Sequence, residues 1–221
     1  YDGYSFVGTV SGTNISFGSL VKFTTNKVYD MDACFDSNNG KIVVAYNDFT
    51  NYAGRAQLGT VSGTSISWGS QIVVSTGAKQ AIANVFLATI NPGDEVILPC
   101  PYWVSYADIV KLSDGVPVEV VTSIETDFKM TPQQLEAAIT PKTKMIWFSS
   151  PCNPSGSVYS KSELRALADV LKNYPNIYIV SDEIYEHINF VGGHASMAEF
   201  EDMYDRTITI NGVSKAFAMT G

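Results

Sequence analysis

From about Gln71 onward, short apolar runs alternate with stretches of helical apolar spacing, and this rhythm constrains the fold more than any other feature. The runs are Glu95–Pro99 (EVILP), Val116–Val121, Lys144–Ser149 (KMIWFS), Asn176–Ser181 (NIYIVS) and Arg206–Asn211 (RTITIN). None shows the in/out alternation of a half-exposed strand, so each is expected to be covered on both faces. Between them, helices are expected over Ala78–Ile90 and Tyr102–Leu112, after Thr131-Pro132-Gln133-Gln134, and from Ser160 to about Asn173. Thr131 to Gln134 and Ser160 to Glu163 have the spacing of capping boxes, the first with proline at the opening helical position. Strands that alternate with helices and are buried on both faces imply an α/β fold: a mostly parallel sheet with helices on both sides.

The first seventy residues have another texture. All nine prolines lie at or after Pro92, whereas residues 1–76 carry only 4 basic and 5 acidic side chains among many Gly, Ser, Thr and Asn. This stretch also repeats itself: Val7–Ser19 (VGTVSGTNISFGS) and Leu58–Ser70 (LGTVSGTSISWGS) agree at 10 of 13 positions with an offset of 51. Between the copies, Asn38-Asn39-Gly40 before Lys41–Tyr46 (KIVVAY) reads as a hairpin turn. The expected domain organisation is therefore an antiparallel β-repeat segment over 1–70, about one and a half units long, followed by an α/β domain over 71–221. A period near fifty suits a propeller blade or solenoid unit. Such units bury their faces against neighbours, so this segment is expected to be poorly stable alone.

Composition narrows the function. The net charge of −8, without a Lys/Arg cluster, argues against nucleic-acid binding and against anchoring on an anionic membrane. No run of eighteen apolar residues is present, so no spanning helix is expected. Three scattered cysteines and two histidines make a poor metal set, so no metal site is expected, and the thiols read as those of the cytoplasm. The Tyr-Asp-Gly start, without methionine or leader, is taken as the start of a fragment.

In open parallel sheets, ligands bind beyond the carboxyl ends of the strands, so the residues just after each run matter most. Ser75-Thr76-Gly77-Ala78-Lys79-Gln80 is a small-residue turn opening a helix, a shape that suits an anion. Cys100-Pro101-Tyr102-Trp103 presents an aromatic, and Ser150-Pro151-Cys152-Asn153-Pro154-Ser155-Gly156 presents an amide. Asp182-Glu183-Ile184-Tyr185 and Gly212-Val213-Ser214-Lys215 follow the last two strands. Taken singly, each has an ordinary reading: a solvated lysine, a helix-capping aspartate, a packed tyrosine, a turn asparagine. Their convergence on one sheet edge does not.

That assembly resembles the fold-type-I pyridoxal-phosphate enzymes, and among them the class I/II aminotransferases of the aspartate aminotransferase kind. The matching stretches are TGAKQAI (76–82), PYWVSY (101–106), SSPCNPSG (149–156), SDEIYEH (181–187) and NGVSKAFAMTG (211–221). The resemblance covers about 71–221 and implies part of the major domain of such an enzyme, with pyridoxal 5′-phosphate as cofactor. It implies catalytic roles for Lys215, Asp182 and Tyr185. Lys215 would join the cofactor aldehyde and shuttle a proton, its charge disfavoured by burial and nearby cations, and Asp182 would pair with the pyridine nitrogen. Asn153 and Tyr185 would hydrogen-bond the ring oxygen, and Trp103 would stack on the ring. Main chain at Gly77, Ala78 and Lys79, with Ser214, would hold the phosphate.

By the same resemblance, an arginine gripping the phosphate would follow Met-Thr-Gly, and a substrate-binding arginine belongs to a C-terminal small domain. Neither lies within these 221 residues, so the sequence is expected to be a fragment or a chimera with impaired activity. The implied reaction, part of amino acid metabolism and biosynthesis, moves an amino group between an amino acid, aspartate by default, and a 2-oxo acid, in a homodimer. Two alternatives stay open: a structural or binding β-repeat protein with an inert α/β remnant, and another pyridoxal-phosphate reaction such as decarboxylation or elimination.

Overall fold

A computed structural model describes residues 2–51 and 53–219. Residues up to Ser75 form one compact unit and those from Thr76 onward a second.

The first unit is all antiparallel β. Strands β1 (Gly3–Ser5), β2 (Gly8–Ser11), β3 (Asn14–Phe17) and β4 (Val21–Thr24) precede β5 (Val28–Asp36), β6 (Lys41–Asp48), β7 (Ala53–Ser62), β8 (Ser65–Trp68) and β9 (Ile72–Val74). Strands β5 to β8 form a meander in chain order, while β1 pairs with β4 and β2 with β3. The two sequence repeats become two hairpins of identical register: Gly8 faces Phe17 and Val10 faces Ile15 in one, Gly59 faces Trp68 and Val61 faces Ile66 in the other. Each turn places a glycine at its first central position with positive φ, +61° at Gly12 and +59° at Gly63, which suits a two-residue hairpin of the right twist. Asn38-Asn39-Gly40 likewise closes β5 onto β6.

Strand β9 belongs to this unit: Ile72–Val74 precedes the small-residue turn and pairs antiparallel with Gly54–Ala56 of β7, so the chain keeps the β pattern of the first unit up to Val74. Its three apolar residues are all exposed. They have no helix to cover them, so the backbone satisfies its hydrogen bonds on the free edge of β7.

The second unit is the expected α/β sheet. Helix α1 (Ala78–Thr89) leads to β10 (Glu95–Cys100), α2 (Ser105–Leu112), β11 (Val116–Val121), α3 (Pro132–Ala138), β12 (Thr143–Ser149), α4 (Lys161–Leu171), β13 (Tyr178–Asp182), α5 (Glu201–Tyr204), β14 (Thr207–Ile210) and α6 (Val213–Ala216). The strand order is β11-β10-β12-β13-β14, and every neighbouring pair is parallel. Both capping boxes form, at Thr131 with Gln134 and at Ser160 with Glu163. The edge strand β11 corrects the expectation of cover on both faces, since Val116 and Val121 are exposed where no further strand or helix of the described residues lies over them. Two cores explain the missing alternation of β10, β12 and β13. Ile97, Ile146, Phe148 and Ile179 pack with Leu135, Leu164, Leu167 and Leu171 on one face. Val96, Leu98, Met145, Trp147 and Val180 pack with Ile82, Phe86 and Val110 on the other. Among the described residues no helix is long and apolar enough to cross a membrane.

Burial differs sharply between the units. The buried apolar cluster of the first is Phe23, Val44 and Tyr46, while Val10, Ile15, Phe17 and Phe35 stay exposed. Truncating Leu167, which is 1% exposed, to alanine should cost about 2–5 kcal/mol in denaturant unfolding of the second unit. Val10→Ala, at a side chain 69% exposed, should stay within about 0.5 kcal/mol. In native-state hydrogen exchange, amides of β2 and β3 should exchange well before those of β10 and β12.

Candidate active site

The carboxyl ends of β10, β12, β13 and β14 and the start of α1 border a cavity of about 350 Å³, within the usual range of ligand sites. Its lining includes all nine residues expected from the sequence: Gly77, Ala78, Lys79, Trp103, Asn153, Asp182, Tyr185, Ser214 and Lys215. Ile82, Tyr106, Ser149 and Ile184 complete it. The position obeys the rule for parallel sheets, since β11 and β12 leave β10 on opposite sides and open a crevice at the strand tips.

Asp182 is the last residue of β13 and only 4% exposed. Its Oδ2 accepts a 2.6 Å hydrogen bond from the Tyr106 hydroxyl, and its Oδ1 accepts from the Ile184 N–H at 3.2 Å. Among the described residues no cation pairs with it. Burial raises its pKa above the usual carboxylate value, and the Tyr106 and Ile184 hydrogen bonds offset that only in part.

Tyr106 is held in turn by the core: its ring stacks on Trp147 with centroids 3.6 Å apart, and Trp147 packs on Phe86 of α1. Burial, and then the neighbouring Asp182, push its phenol well above the ordinary value, so it stays protonated and donates. Tyr106 is the functional residue that the strand-tip reading missed. Its signal was its place in PYWVSY, three residues after Trp103, with which its ring makes an edge contact.

The other walls are simpler. Gly77 caps α1 with φ of +91°, a backbone state that favours glycine. No acidic residue sits in the first turn of α1, so the positive end of its dipole is uncompensated there. Trp103 forms an aromatic wall, with the Lys79 Nζ 4.6 Å from its ring centroid. Asn153 Nδ2 lies 3.5 Å from the Tyr185 hydroxyl, so the two polar groups face one spot. Lys215 corrects one expectation. It borders the cavity but is exposed rather than buried, because α6 is a single turn with no buried residue.

Comparison with known proteins decides the family. The family described as aminotransferase class I and II matches residues 50–221, reaching further back than the motifs do. The chain belongs to the class I and II aminotransferases. It is 54% identical over 154 residues to the aspartate/prephenate aminotransferase of Cereibacter sphaeroides, covering 69% of this chain and 38% of that protein. It is 46% identical over 204 residues to the aspartate/prephenate aminotransferase of Nitrosomonas europaea, covering 87% of this chain and 51% of that protein. Among solved structures, the aspartate aminotransferase from Rhizobium meliloti is similar with a TM-score of 0.66 and 46% identity, over 67% of this chain and 38% of that one. The chain thus spans about half or less of the length of these relatives.

The family implies pyridoxal 5′-phosphate, and the residues present fit it. A buried carboxylate lacking a cation suits a protonated ring nitrogen, the amide–phenol pair suits a ring oxygen, and the uncompensated helix end suits a phosphate.

An acid whose pKa is raised in the folded state holds its proton more tightly folded than unfolded, so stability falls as pH rises through that window. Asp182→Asn should therefore unfold at a higher temperature than the parent at neutral pH. The gap should shrink as the pH falls towards the ordinary carboxylate value, as scanning calorimetry from pH 7 downward would show. Tyr106→Phe should raise the Asp182 pKa further, read by carbon-13 NMR titration of the aspartate carboxyls.

Proposed function

We propose that this chain carries the cofactor-binding part of a pyridoxal-phosphate-dependent aminotransferase, moving an amino group between an amino acid and a 2-oxo acid. The observation that carries it is the gathering of a buried Asp182 with no paired cation among the described residues, an exposed Lys215, the Asn153–Tyr185 pair and the start of α1 around one cavity. When bound, pyridoxal phosphate supplies an aldehyde that condenses with amines and a ring that draws electrons from the substrate α-carbon.

The chain's own residues do the rest. Asp182 holds the proton on the ring nitrogen, which keeps the ring an electron acceptor. Tyr106 donates to Asp182 and favours its charged form. Asn153 and Tyr185 donate to the ring 3-oxygen, and Trp103 offers a flat apolar face. Main chain of Gly77, Ala78 and Lys79, with the Ser214 hydroxyl, binds the phosphate. Lys215, which borders the cavity, would hold the cofactor through its aldehyde and would move the proton at the substrate α-carbon.

Aspartate is the default amino donor, supported by the printed names of the relatives. Further parts of this reading are a homodimer, a cytoplasmic location supported by three unpaired thiols at Cys34, Cys100 and Cys152, and a separate β-repeat module over 1–70 ahead of an aminotransferase domain over 71–221.

Mixing the chain with pyridoxal phosphate and reducing with borohydride should add one cofactor mass to the peptide bearing residue 215. Lys215→Ala should remove that label while leaving the fold intact by circular dichroism, and should lower any transamination rate by about 10²–10⁴-fold. Labelling of other lysines with equal yield would overturn the assignment.

A further inference from the structure

Glu183 follows Asp182, the last residue of β13, but its carboxylate lies against Ser181, Ser196 and His194 and does not line the cavity. It is only 3% exposed. Its Oε1 accepts from the hydroxyls of Ser181 at 2.9 Å and Ser196 at 2.5 Å. Its Oε2 lies 2.8 Å from His194 Nε2. The His194 Nδ1 is buried without a hydrogen-bond partner among the described residues, so the ring is held through Nε2. The Glu183 N–H donates to Ile210, the last residue of β14, at 2.8 Å.

These partners are the two feet of one loop. Ser181 stands on β13 just before it, and His194 and Ser196 stand at its far end. Tyr185 rides in its first turn, set by hydrogen bonds from Glu186 N–H to Glu183 O at 2.9 Å and from Ile188 N–H to Tyr185 O at 2.8 Å. The middle of the loop has little packing of its own: Phe190 is 90% and Val191 76% exposed, and a side chain at Gly193 would meet open space. Anchorage therefore comes from its ends.

Glu183, Glu186 and His194 also bring potential metal-ligand atoms within 4.8 Å of one another. Both oxygens of Glu183 are already engaged by hydroxyl and imidazole donors, which favours a hydrogen-bonded strut over a cation site.

We propose that Glu183 is a positioning residue that pins both ends of the 184–195 loop and so holds the Tyr185 hydroxyl beside Asn153 in the cavity. This rests on the reading above only in giving Tyr185 a cofactor oxygen to bind. The strut itself is a property of the chain without cofactor.

The test uses the full chain with Glu183→Ala, Glu183→Gln, Tyr185→Phe and the Glu183→Ala/Tyr185→Phe double variant. Thermal unfolding verifies that each is folded. Hydrogen exchange followed by mass spectrometry should speed up across 184–195 in Glu183→Ala while β10 and β12 stay protected, and Glu183→Gln, which keeps acceptors for both serines, should restore most of the protection. Pyridoxal phosphate affinity, read by absorbance titration, should fall about tenfold in Glu183→Ala. The double variant should bind no more weakly than the weaker single variant, because both act through one hydroxyl.

Unchanged exchange across 184–195 in Glu183→Ala would overturn the proposal. So would a fully additive affinity loss in the double variant, or stoichiometric binding of Zn²⁺ that Glu183→Gln abolishes. If the parent chain bound no pyridoxal phosphate, the functional reading would fail, and the exchange result alone would decide the strut.

Discussion

The hydrogen bond from Tyr106 to Asp182 joins the core of the second unit to its cavity, and most of the site's geometry follows from it. Taking a carboxylate out of water is costly unless donors or a cation replace the lost solvation. Here one phenol and one backbone N–H do part of that work. The remainder is not met among the described residues, and burial therefore holds the Asp182 pKa above the usual carboxylate value. Packing places Tyr106 for this bond: its ring lies on Trp147, which lies on Phe86. Those side chains belong to the apolar layer that also holds Val96, Leu98 and Val180 against the sheet. Precision at the carboxylate is thus inherited from packing several residues away.

The labour is divided at the tip of β13. Asp182 and Glu183 are adjacent in sequence, both buried and both acidic, yet only Asp182 lines the cavity, while Glu183 turns to Ser181, Ser196 and His194 as the chain leaves the strand. One keeps unmet electrostatic demand and faces the cavity. The other is saturated by Ser181, Ser196 and His194 and secures a loop. Neither residue type nor burial distinguishes them. The number and nature of their donors does.

The order of strands and helices after Gln71 was legible because each element carried its own local signal. Runs such as EVILP and KMIWFS are short, apolar and bounded by turn residues, which marks strands covered on both faces, and the boxes at Thr131 and Ser160 mark helix starts through contacts three residues apart. The cavity residues were legible because they sit at strand tips in matching stretches, although the final two residues of the last stretch lie outside the described structure. What escaped was non-local. Tyr106 reaches Asp182 across 76 positions, Glu183 reaches His194 and Ser196 across 11 and 13, and Ile72–Val74 pairs with Gly54–Ala56. The exposure of Lys215 escaped for a related reason: burial is decided by which elements cover a turn, and the residues of the turn do not encode that.

The two repeats in the first unit separate local from non-local control with unusual directness. Their near-identical sequences give the same turn and the same pairing, because a Ser-Gly-Thr turn fixes register by backbone geometry alone. Their side chains nevertheless meet different fates: Ile66 is 7% exposed whereas its counterpart Ile15 is 57% exposed. Trp68 packs on Phe23 and donates to Ser5, while the equivalent Phe17 touches only the exposed ring of Phe6 among the aromatic contacts of the described residues. A hairpin is therefore specified twice by one sentence of sequence and stabilised once by its surroundings. With so little apolar burial, the unit leans on polar order. Fully buried Asp48 accepts from Asn26, Asn51 and Arg55, and although burial alone would raise its pKa, the Asn51 and Asn26 hydrogen bonds prevail and lower it. Its carboxylate is charged and satisfied from within, the reverse of Asp182, and a group whose demand is already met holds a fold together without offering a place for a ligand.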